Sequence, residues 1–261
     1  MACHRRANSE VPNTVLVTGA AGALGKRVSC VLAAKGMTVV GFGRGRPPAS
    51  WQHRWISDDV LATGSLLAAV RDVDSIVHCA TDPMSPERDI DMVRRVVEVA
   101  ASSELHLVHV SIAGIEEAGL SRYYAAKLEG ERLLRASGIA HALIRSTQFH
   151  PFVLSVLRRL DFGPLLLCPP FRLQPIDPDH VAETIGRCVS DRTVGTKTLS
   201  GPERLTVSEL ADAWPRLRHA VRLRLPIPAI GPLAAMSAIR AVEGQCGGRS
   251  WQEWLGAYDG S

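Results

Sequence analysis

Short apolar runs alternate with longer amphipathic stretches along the first part of the chain. The runs are rich in β-branched residues, which is typical of strands buried on both faces of a parallel sheet, and they lie at residues 15–17, 38–40, 75–79, 105–110 and 141–144. The stretches between most of them follow a helical pattern and lie at residues 25–34, 64–70, 89–101 and 123–136. Strands that alternate with helices predict a doubly wound parallel α/β sheet with helices on both faces.

From about Pro151 the pattern changes to longer connections that are rich in proline. Ligands bind outside the carboxyl ends of the strands in open sheets of this kind, so the apolar run from Phe162 to Phe171 is expected to cover that crevice and contact a substrate. The alternative is that this run packs in the core or at an oligomer contact. The stretch 225–239 is expected to be a loop and lid, and further helices are expected at 179–190 and from 206 onwards.

Three glycines spaced by three follow the first predicted strand and open the first predicted helix. Gly19 turns the chain, Gly22 lets the backbone approach a pyrophosphate, and Gly25 lets the helix pack closely on the sheet. The N–H groups of such a helix start attract phosphate. The next strand, at 38–42, completes a βαβ unit, which favours a nucleotide site over a plain structural turn. The sequence therefore predicts a Rossmann-type fold that binds a dinucleotide.

The second predicted strand ends at residues 41–46 without the acidic residue that usually holds the adenosine ribose of NAD. Arg44, and as a further candidate Arg46, offers a guanidinium fork that suits a 2′-phosphate. The sequence therefore predicts NADP(H) as the cofactor. The alternative is that Arg44 is a solvated cation of the loop.

Tyr123 and Lys127 stand four residues apart, so they share one face of a predicted helix. A neighbouring ammonium favours phenolate, so this pair suits proton transfer. Ser111 ends the preceding strand, where its hydroxyl is expected to hydrogen-bond a substrate carbonyl. Tyr124 is the rival phenol. The alternative is that the pair only packs or holds the cofactor, and Asp82 and Asp89 are expected to shape a loop.

Composition limits the other functions. The chain has 261 residues, 46% hydrophobic and 21% charged, and a net charge of +4 spread along its length, which does not indicate nucleic-acid binding. Its six cysteines and nine histidines show no metal-ligand spacing, so we expect reduced thiols and no metal. The start of the chain is expected to be a polar tail without a secretory signal, and no stretch predicts a membrane span. We therefore expect a cytoplasmic protein.

These motifs together resemble the short-chain dehydrogenase/reductase superfamily, and within it the atypical, NmrA-like branch. The likeness rests on residues 18–25, Ser111, Tyr123, Lys127 and 145–149, and extends to 174–176, 179–182 and 201–206. It implies a fold in which the cofactor contacts Gly19, Gly22, Ala23, Leu24, Gly25, Arg44, Asp59, Val60, Ala80, Thr81, Lys127, Gln148 and Phe149. It also implies that Tyr123 exchanges the proton, Lys127 tunes it and binds ribose, and Ser111 orients the carbonyl.

The resulting prediction has a tail at 1–12, an NADP-binding core at 13–150, and a substrate-side region at 151–261 packed on the same domain. The predicted function is the NADPH-dependent reduction of a hydrophobic carbonyl compound, quinone or enone. Two alternatives stay open: a non-catalytic NADP(H)-binding redox sensor, and an isomerase, dehydratase or cyclase that retains NADP. His150 is a candidate substrate contact or, alternatively, a helix start before Pro151. The substrate stays unidentified, and the helices that flank such sheets are compatible with a homodimer.

Overall fold

The computed structural model describes residues 14–62, 64–116, 121–214 and 223–258, and it is built around a parallel sheet. The predicted tail at 1–12 lies outside these residues. In chain order the strands are β1 (Thr14–Thr18), β2 (Thr38–Gly43), β3 (Arg54–Ser57), β4 (Ser75–His78), β5 (His106–Ile112), β6 (His141–Ser146), β7 (Leu165–Cys168), β8 (Arg172–Leu173), β9 (Gly195–Ser200), β10 (Leu205–Thr206), β11 (Leu223–Pro226) and β12 (Gln245–Cys246).

Eight of these strands form the central sheet in the order β12-β9-β6-β5-β4-β1-β2-β3, and every described pairing within it is parallel. The chain winds outward from β1 to β3 and then returns to the other side of β1 with β4. The carboxyl ends of β1 and β4 therefore border the crevice where such folds bind ligands. The predicted doubly wound parallel fold is confirmed.

Helices cover both faces of the sheet. In chain order the described helices are α1 (Ala23–Ala34), α2 (Ser65–Ala69), α3 (Pro86–Ser102), α4 (Arg122–Ala136), α5 (His150–Leu160), α6 (Pro178–Ser190), α7 (Val207–Ala213), α8 (Pro232–Ser237) and α9 (Trp251–Gly256). Val28 of α1 and Ile185 of α6 are buried in the apolar cluster on one face, and Val96 of α3 and Leu134 of α4 in the cluster on the other. None of the described helices is both long and apolar enough to cross a lipid bilayer.

The second half of the chain adds a third apolar cluster, formed mainly by α5, α7 and α9. Two small sheets accompany it, an antiparallel pair of β8 with β10 and a parallel pair of β7 with β11. The same half supplies β9 and β12 to the edge of the central sheet. Its elements therefore contribute both to the sheet and to the layer beside it.

Several elements differ from the sequence expectation, and one of them is α8, a helix within the stretch 225–239 that is expected to be a loop and lid. An irregular stretch is expected at 51–55, but β3 begins at residue 54. The sequence does not reveal this short edge strand, because Arg-Trp-Ile-Ser contains no continuous apolar run. The helix α5 confirms the alternative in which His150 is a helix start, but its extent to Leu160 has no predicted counterpart. It begins at His150 with Pro151 in its first turn, where the missing N–H of proline costs no hydrogen bond.

Candidate functional site

The glycines after β1 form a backbone cradle at the start of α1. Gly19 has a φ of +67°, and a Cβ on it would lie 2.6 Å from the backbone nitrogen of Ala80. A Cβ on Gly25 would lie 2.2 Å from the carbonyl oxygen of Gly19, so both positions require glycine. Gly22 precedes the helix without a side-chain cap, and the first turn has no acidic residue. The N–H groups at the start of α1 are therefore suited to bind an anion such as a pyrophosphate.

A groove of about 280 Å³ continues from this cradle along the carboxyl ends of β2 and β4. Seven residues that the sequence predicts to contact the cofactor line it: Gly19, Gly22, Arg44, Asp59, Val60, Ala80 and Thr81. Phe42, Arg88 and Met92 complete much of its wall. The groove therefore joins the backbone cradle at the start of α1 to the loop that carries Arg44.

The other predicted cofactor residues are not among those that line this groove. Ala23 is exposed at the start of α1, and Leu24 is buried in the core below it. Gln148 follows β6, and its Oε1 accepts a hydrogen bond of 3.0 Å from the backbone N–H of Gln174. Phe149 is half-buried and bridges to Ile176. The contact of these residues with the cofactor stays a prediction.

Two side chains that the sequence analysis did not single out hold the loop that carries Arg44. The carbonyl oxygen of Gly45 accepts hydrogen bonds from Trp55 Nε1 at 3.1 Å and from Ser57 Oγ at 2.6 Å. Both donors come from β3, the strand that the sequence did not predict. Arg44 is itself exposed and lines the groove.

Arg88 of α3 forms an ion pair with Asp59 at the same end of the groove. Asp59 also accepts a hydrogen bond of 3.0 Å from the backbone N–H of Leu61. Burial acts to raise the pKa of Asp59, but this hydrogen bond and the charges of Arg88 and Arg44 hold that pKa below its ordinary value. The carboxylate is therefore ionised at neutral pH, and two cations lie around it.

Four side chains form one connected chain where the groove meets α4. The hydroxyl of Tyr123 lies 2.9 Å from Thr81 Oγ1, and Thr81 Oγ1 donates a hydrogen bond of 2.8 Å to Asp89 Oδ1. Asp89 Oδ2 lies 3.0 Å from Lys127 Nζ, and this ion pair is almost completely buried. Lys127 Nζ is also 5.6 Å from the centre of the Tyr123 ring. The predicted pair on α4 is therefore joined through a threonine and an aspartate from elsewhere in the chain.

The electrostatics of these four side chains differ from the simple expectation for a tyrosine beside a lysine. Burial raises the pKa of Tyr123 to about 12, the hydrogen bond with Thr81 opposes this shift, and the charge of Asp89 adds to it. Burial also acts to raise the pKa of Asp89, but Lys127 and the donors at Asp82 and Thr81 hold it below its ordinary value. Tyr123 is therefore a phenol and Asp89 a carboxylate at neutral pH.

Two buried histidines, His78 of β4 and His109 of β5, lie next to each other on one face of the sheet. The rings of His78 and His109 stack with centres 5.3 Å apart, and His78 Nδ1 lies 2.7 Å from Thr18 Oγ1. Burial lowers the pKa of His78 to about 4, and the positive charge of Lys127 acts in the same direction. Burial likewise lowers the pKa of His109. Both rings are therefore neutral near pH 7.

Ser111 lies near the end of β5 in register with Arg145 of β6, which bonds to Glu131 of α4. Side chains in register on parallel strands share a face, so Ser111 points beneath α4. It is only 3% exposed. Its hydroxyl has no hydrogen-bond partner among the described residues. Its contact with a substrate carbonyl stays a prediction.

Tyr124 belongs to a small apolar cluster beside Tyr123. It packs with Ile115 of the loop after β5 and with Ala235 and Ile239 of the segment around α8. The backbone N–H of Arg240 fixes this segment by donating a 3.1 Å hydrogen bond to the carbonyl of Gly114. Burial raises the pKa of Tyr124 to about 12. The stretch expected to be a lid thus packs next to both tyrosines, and Tyr124 forms part of that packing.

The three predicted substrate residues do not line the groove. His150 is completely buried at the start of α5, with ring centres 5.2 Å from Trp254 and 5.7 Å from Trp251. Phe171 is buried in the third apolar cluster, and Phe162 is 61% exposed. The structure does not bring them together with Tyr123, and their contact with substrate stays a prediction. Within the described ranges, no group of His, Cys, Asp or Glu side chains is suited to hold a metal ion.

Comparisons with known proteins agree with this geometry. The sequence model of a family described as NAD(P)H-binding matches residues 19–151, from the cradle to the start of α5. A reductase of Streptomyces griseus, named for the substrate (4-alkanoyl-5-oxo-2,5-dihydrofuran-3-yl)methyl phosphate, is 27% identical over 244 residues, which are 87% of this chain and 80% of that protein.

Solved structures share the fold at low sequence identity. A nucleoside-diphosphate-sugar epimerase from Staphylococcus aureus superposes with a TM-score of 0.79 at 18% identity, covering 93% of this chain and 99% of that one. The enzyme WbmH of Bordetella bronchiseptica, in complex with NAD⁺, gives a TM-score of 0.68 at 18% identity, covering 87% and 96%. The family match and the reductase relative, together with this shared fold, confirm the resemblance to the short-chain dehydrogenase/reductase superfamily. The cofactor of this chain is a nicotinamide nucleotide.

Proposed function

We propose an NADPH-dependent reductase activity for this chain, which belongs to the NAD(P)H-binding family. The proposed substrates are hydrophobic carbonyl compounds, quinones or enones. One observation carries the proposal: the Tyr123 hydroxyl lies 2.9 Å from Thr81 Oγ1, and Thr81 lines the cofactor groove. A group that donates a proton therefore stands at the wall of the groove.

The residues have distinct roles in the proposed reaction. When bound, NADPH supplies the hydride to an electrophilic carbon of the substrate. Tyr123 delivers the proton, to the oxygen of a carbonyl or quinone or to the carbon next to the carbonyl of an enone, so the substrate gains two electrons and two hydrogens. Lys127 lies beside this phenol in its ion pair with Asp89, and the apolar cluster around Tyr124 packs against Tyr123.

The Streptomyces griseus relative supports the reductase assignment and one substrate class in particular. Its name describes a reductase whose substrate is an oxo-dihydrofuran with an alkanoyl group. In a 5-oxo-2,5-dihydrofuran the ring double bond is conjugated with the carbonyl. We therefore place conjugated enones and unsaturated lactones first in the substrate panel, ahead of simple ketones and quinones.

The proposed activity is tested in two steps. NADPH and NADH are first titrated separately while the fluorescence of protein and cofactor is followed. The absorbance of NADPH is then followed with each member of the panel. Tight NADPH binding and substrate-dependent oxidation would support the reductase. Tight binding without oxidation of NADPH by any panel member would favour the redox sensor or the NADP-retaining isomerase, dehydratase or cyclase. Absence of binding of either nucleotide would contradict the cofactor site on which the proposal rests.

Removing the guanidinium of Arg44 tests the choice of NADPH over NADH. Arg44→Ala is expected to raise the Kd for NADPH about 10- to 100-fold and to leave that for NADH within about twofold, because a charge-assisted hydrogen bond to phosphate contributes about 1.5–3 kcal/mol. The measurement is the same pair of fluorescence titrations. Arg46→Ala, made in parallel, distinguishes the second candidate of this loop.

Arg71→Ala is the matched control for this pair of variants. Arg71 is exposed and precedes β4, so it lies at the opposite, amino-terminal edge of the sheet. It should change neither dissociation constant. Equal weakening of NADPH and NADH in Arg44→Ala would show that the residue supports the loop rather than recognising the 2′-phosphate.

A further inference from the structure

Asp89 is a buried carboxylate whose position the proposed reaction does not yet use. Its side chain is 1% exposed in the first turn of α3. Oδ1 accepts hydrogen bonds of 2.8 Å from Thr81 Oγ1 and 2.8 Å from the backbone N–H of Asp82, and Oδ2 pairs with Lys127. The sequence suggested a loop-shaping role, and the bond to Asp82 fits it. The other two contacts lead directly to Tyr123.

The hydrogen-bond chain has one direction. An ionised carboxylate only accepts hydrogen bonds, so the single hydroxyl proton of Thr81 points to Asp89. Thr81 Oγ1 is then left with acceptor sites alone, and the contact of 2.9 Å with Tyr123 requires the phenol to donate. Tyr123 therefore keeps its own proton and donates it in a hydrogen bond to Thr81 until a substrate atom takes the place of that acceptor.

The ion pair decides how Lys127 acts on the same phenol. An ammonium that stands alone beside a tyrosine favours the phenolate. Here the carboxylate of Asp89 lies 3.0 Å from Lys127 Nζ, whereas the Tyr123 ring centre is 5.6 Å from it. The carboxylate of Asp89 therefore cancels most of the electrostatic effect that Lys127 would otherwise have on the phenol.

We infer that Asp89 is a positioning residue for proton transfer: it orients Thr81 and balances Lys127, so that Tyr123 stays a protonated donor. This role rests on the proposed function, in which Tyr123 supplies the proton. Asp89 does not itself touch the substrate. It acts through Thr81 and Lys127, so a residue of α3 influences the protonation of a phenol on α4.

The histidines, the thiol and the second tyrosine around these four side chains stay neutral near pH 7, and the charged groups lie at the outer end. His78 lies on β4 and His109 on β5, and burial lowers the pKa of each. Burial raises the pKa of the Cys79 thiol after β4, and that of Tyr124 on α4, to about 12. At the outer end, Arg88 is 3.6 Å from Asp82 and pairs with Asp59.

The chain offers a direct test, because it contains only three tyrosines. The double variant Tyr124→Phe/Tyr258→Phe leaves Tyr123 as the one phenol, and its ultraviolet phenolate absorbance can be titrated without any substrate. In this background no phenolate should appear below about pH 11. Adding Asp89→Asn should lower the pKa of Tyr123 by at least about one unit, because a negative charge is removed and Lys127 is left unbalanced.

Two further variants in the same background sharpen the test. Asp89→Asn/Lys127→Met removes both charges and should return the phenolate titration to above about pH 11. It leaves no uncompensated buried charge, which is the main cost of breaking a buried ion pair. Asp91→Asn on the same helix is the matched control, because Asp91 is exposed and pairs only locally with Arg94 among the described residues. It should leave the titration unchanged.

The outcomes separate the inference from the proposed function. An unchanged titration in a folded Asp89→Asn variant would overturn the inference, whether or not the protein is a reductase. If that variant does not fold, early phenolate in the double-charge variant would overturn it instead. If a substrate is reduced, the alkaline fall of kcat/KM should also move to lower pH in Asp89→Asn, a shift that a purely structural role would not cause.

Discussion

Tyr123→Phe is expected to lower kcat about 100- to 1,000-fold with whichever panel substrate is reduced, and to leave the Kd for NADPH within about twofold. The phenylalanine ring fills the same space but has no proton to donate. The hydroxyl of Tyr123 bonds to Thr81, not to the glycine cradle, so the cofactor groove should keep its shape. The measurement is a steady-state assay at saturating NADPH, together with a fluorescence titration of the cofactor.

Tyr124→Phe is the matched control for this loss. The two tyrosines are neighbours on one helix, Tyr123 half-buried and Tyr124 buried. Tyr124 packs in the apolar cluster with Ile115 and Ile239 and does not join the hydrogen bonds that lead to Asp89. Its removal should change kcat by less than about threefold. A large loss in Tyr124→Phe with full activity in Tyr123→Phe would assign the proton to the rival phenol and contradict the mechanism.

The first βαβ unit could be predicted from the sequence because its physics is local. Strand β1 is an apolar run buried on both faces, and the glycines follow it at fixed spacing. The structure shows why no other residue fits at Gly19 and Gly25, where a Cβ would collide with backbone. A signal that depends on neighbouring residues alone is visible without knowing the fold.

The candidate catalytic chain could be predicted only in part. Tyr123 and Lys127 are four residues apart, and helix periodicity alone places them on one face. Thr81 and Asp89 belong to the loop after β4 and the start of α3, about forty residues earlier in the chain. Their contact with α4 depends on how α3 packs on α4, which no local pattern encodes. The spacing of apolar residues along a helix indicates which face is buried, but not which polar group that face will meet.

The second half of the chain was the least predictable from sequence. Phe171 and His150 stand next to prolines and apolar residues, a pattern that suits either a substrate pocket or a core. The structure buries both, with His150 against two tryptophans from α9, about a hundred residues downstream. Apolar residues acquire their partners through long-range packing, so composition could indicate that this region is buried but not against what.

Gly19→Ala is expected to raise the Kd for NADPH at least about 100-fold and to lower the free energy of unfolding by about 1–2 kcal/mol or more. The φ of +67° is strained for alanine, and the new Cβ would lie within 3 Å of backbone atoms of Ala80 and Cys79. The turn must shift to relieve this contact, and the shift moves the N–H groups that face the pyrophosphate. Thermal unfolding and fluorescence titration measure the two effects separately.

Gly36→Ala separates backbone strain from close approach. Gly36 has a similar φ of +80°, but a Cβ there would meet nothing within 4 Å. It should therefore lower stability by a comparable strain energy while NADPH still binds normally. If Gly19→Ala does not fold, Gly22→Ala replaces it, because its backbone is extended and its Cβ would lie 3.1 Å from the carbonyl oxygen of Gly19. Normal NADPH binding in a folded cradle variant would mean that the cofactor approaches the protein elsewhere, since a methyl group on Gly19 or Gly22 leaves no room for the pyrophosphate to lie against this backbone.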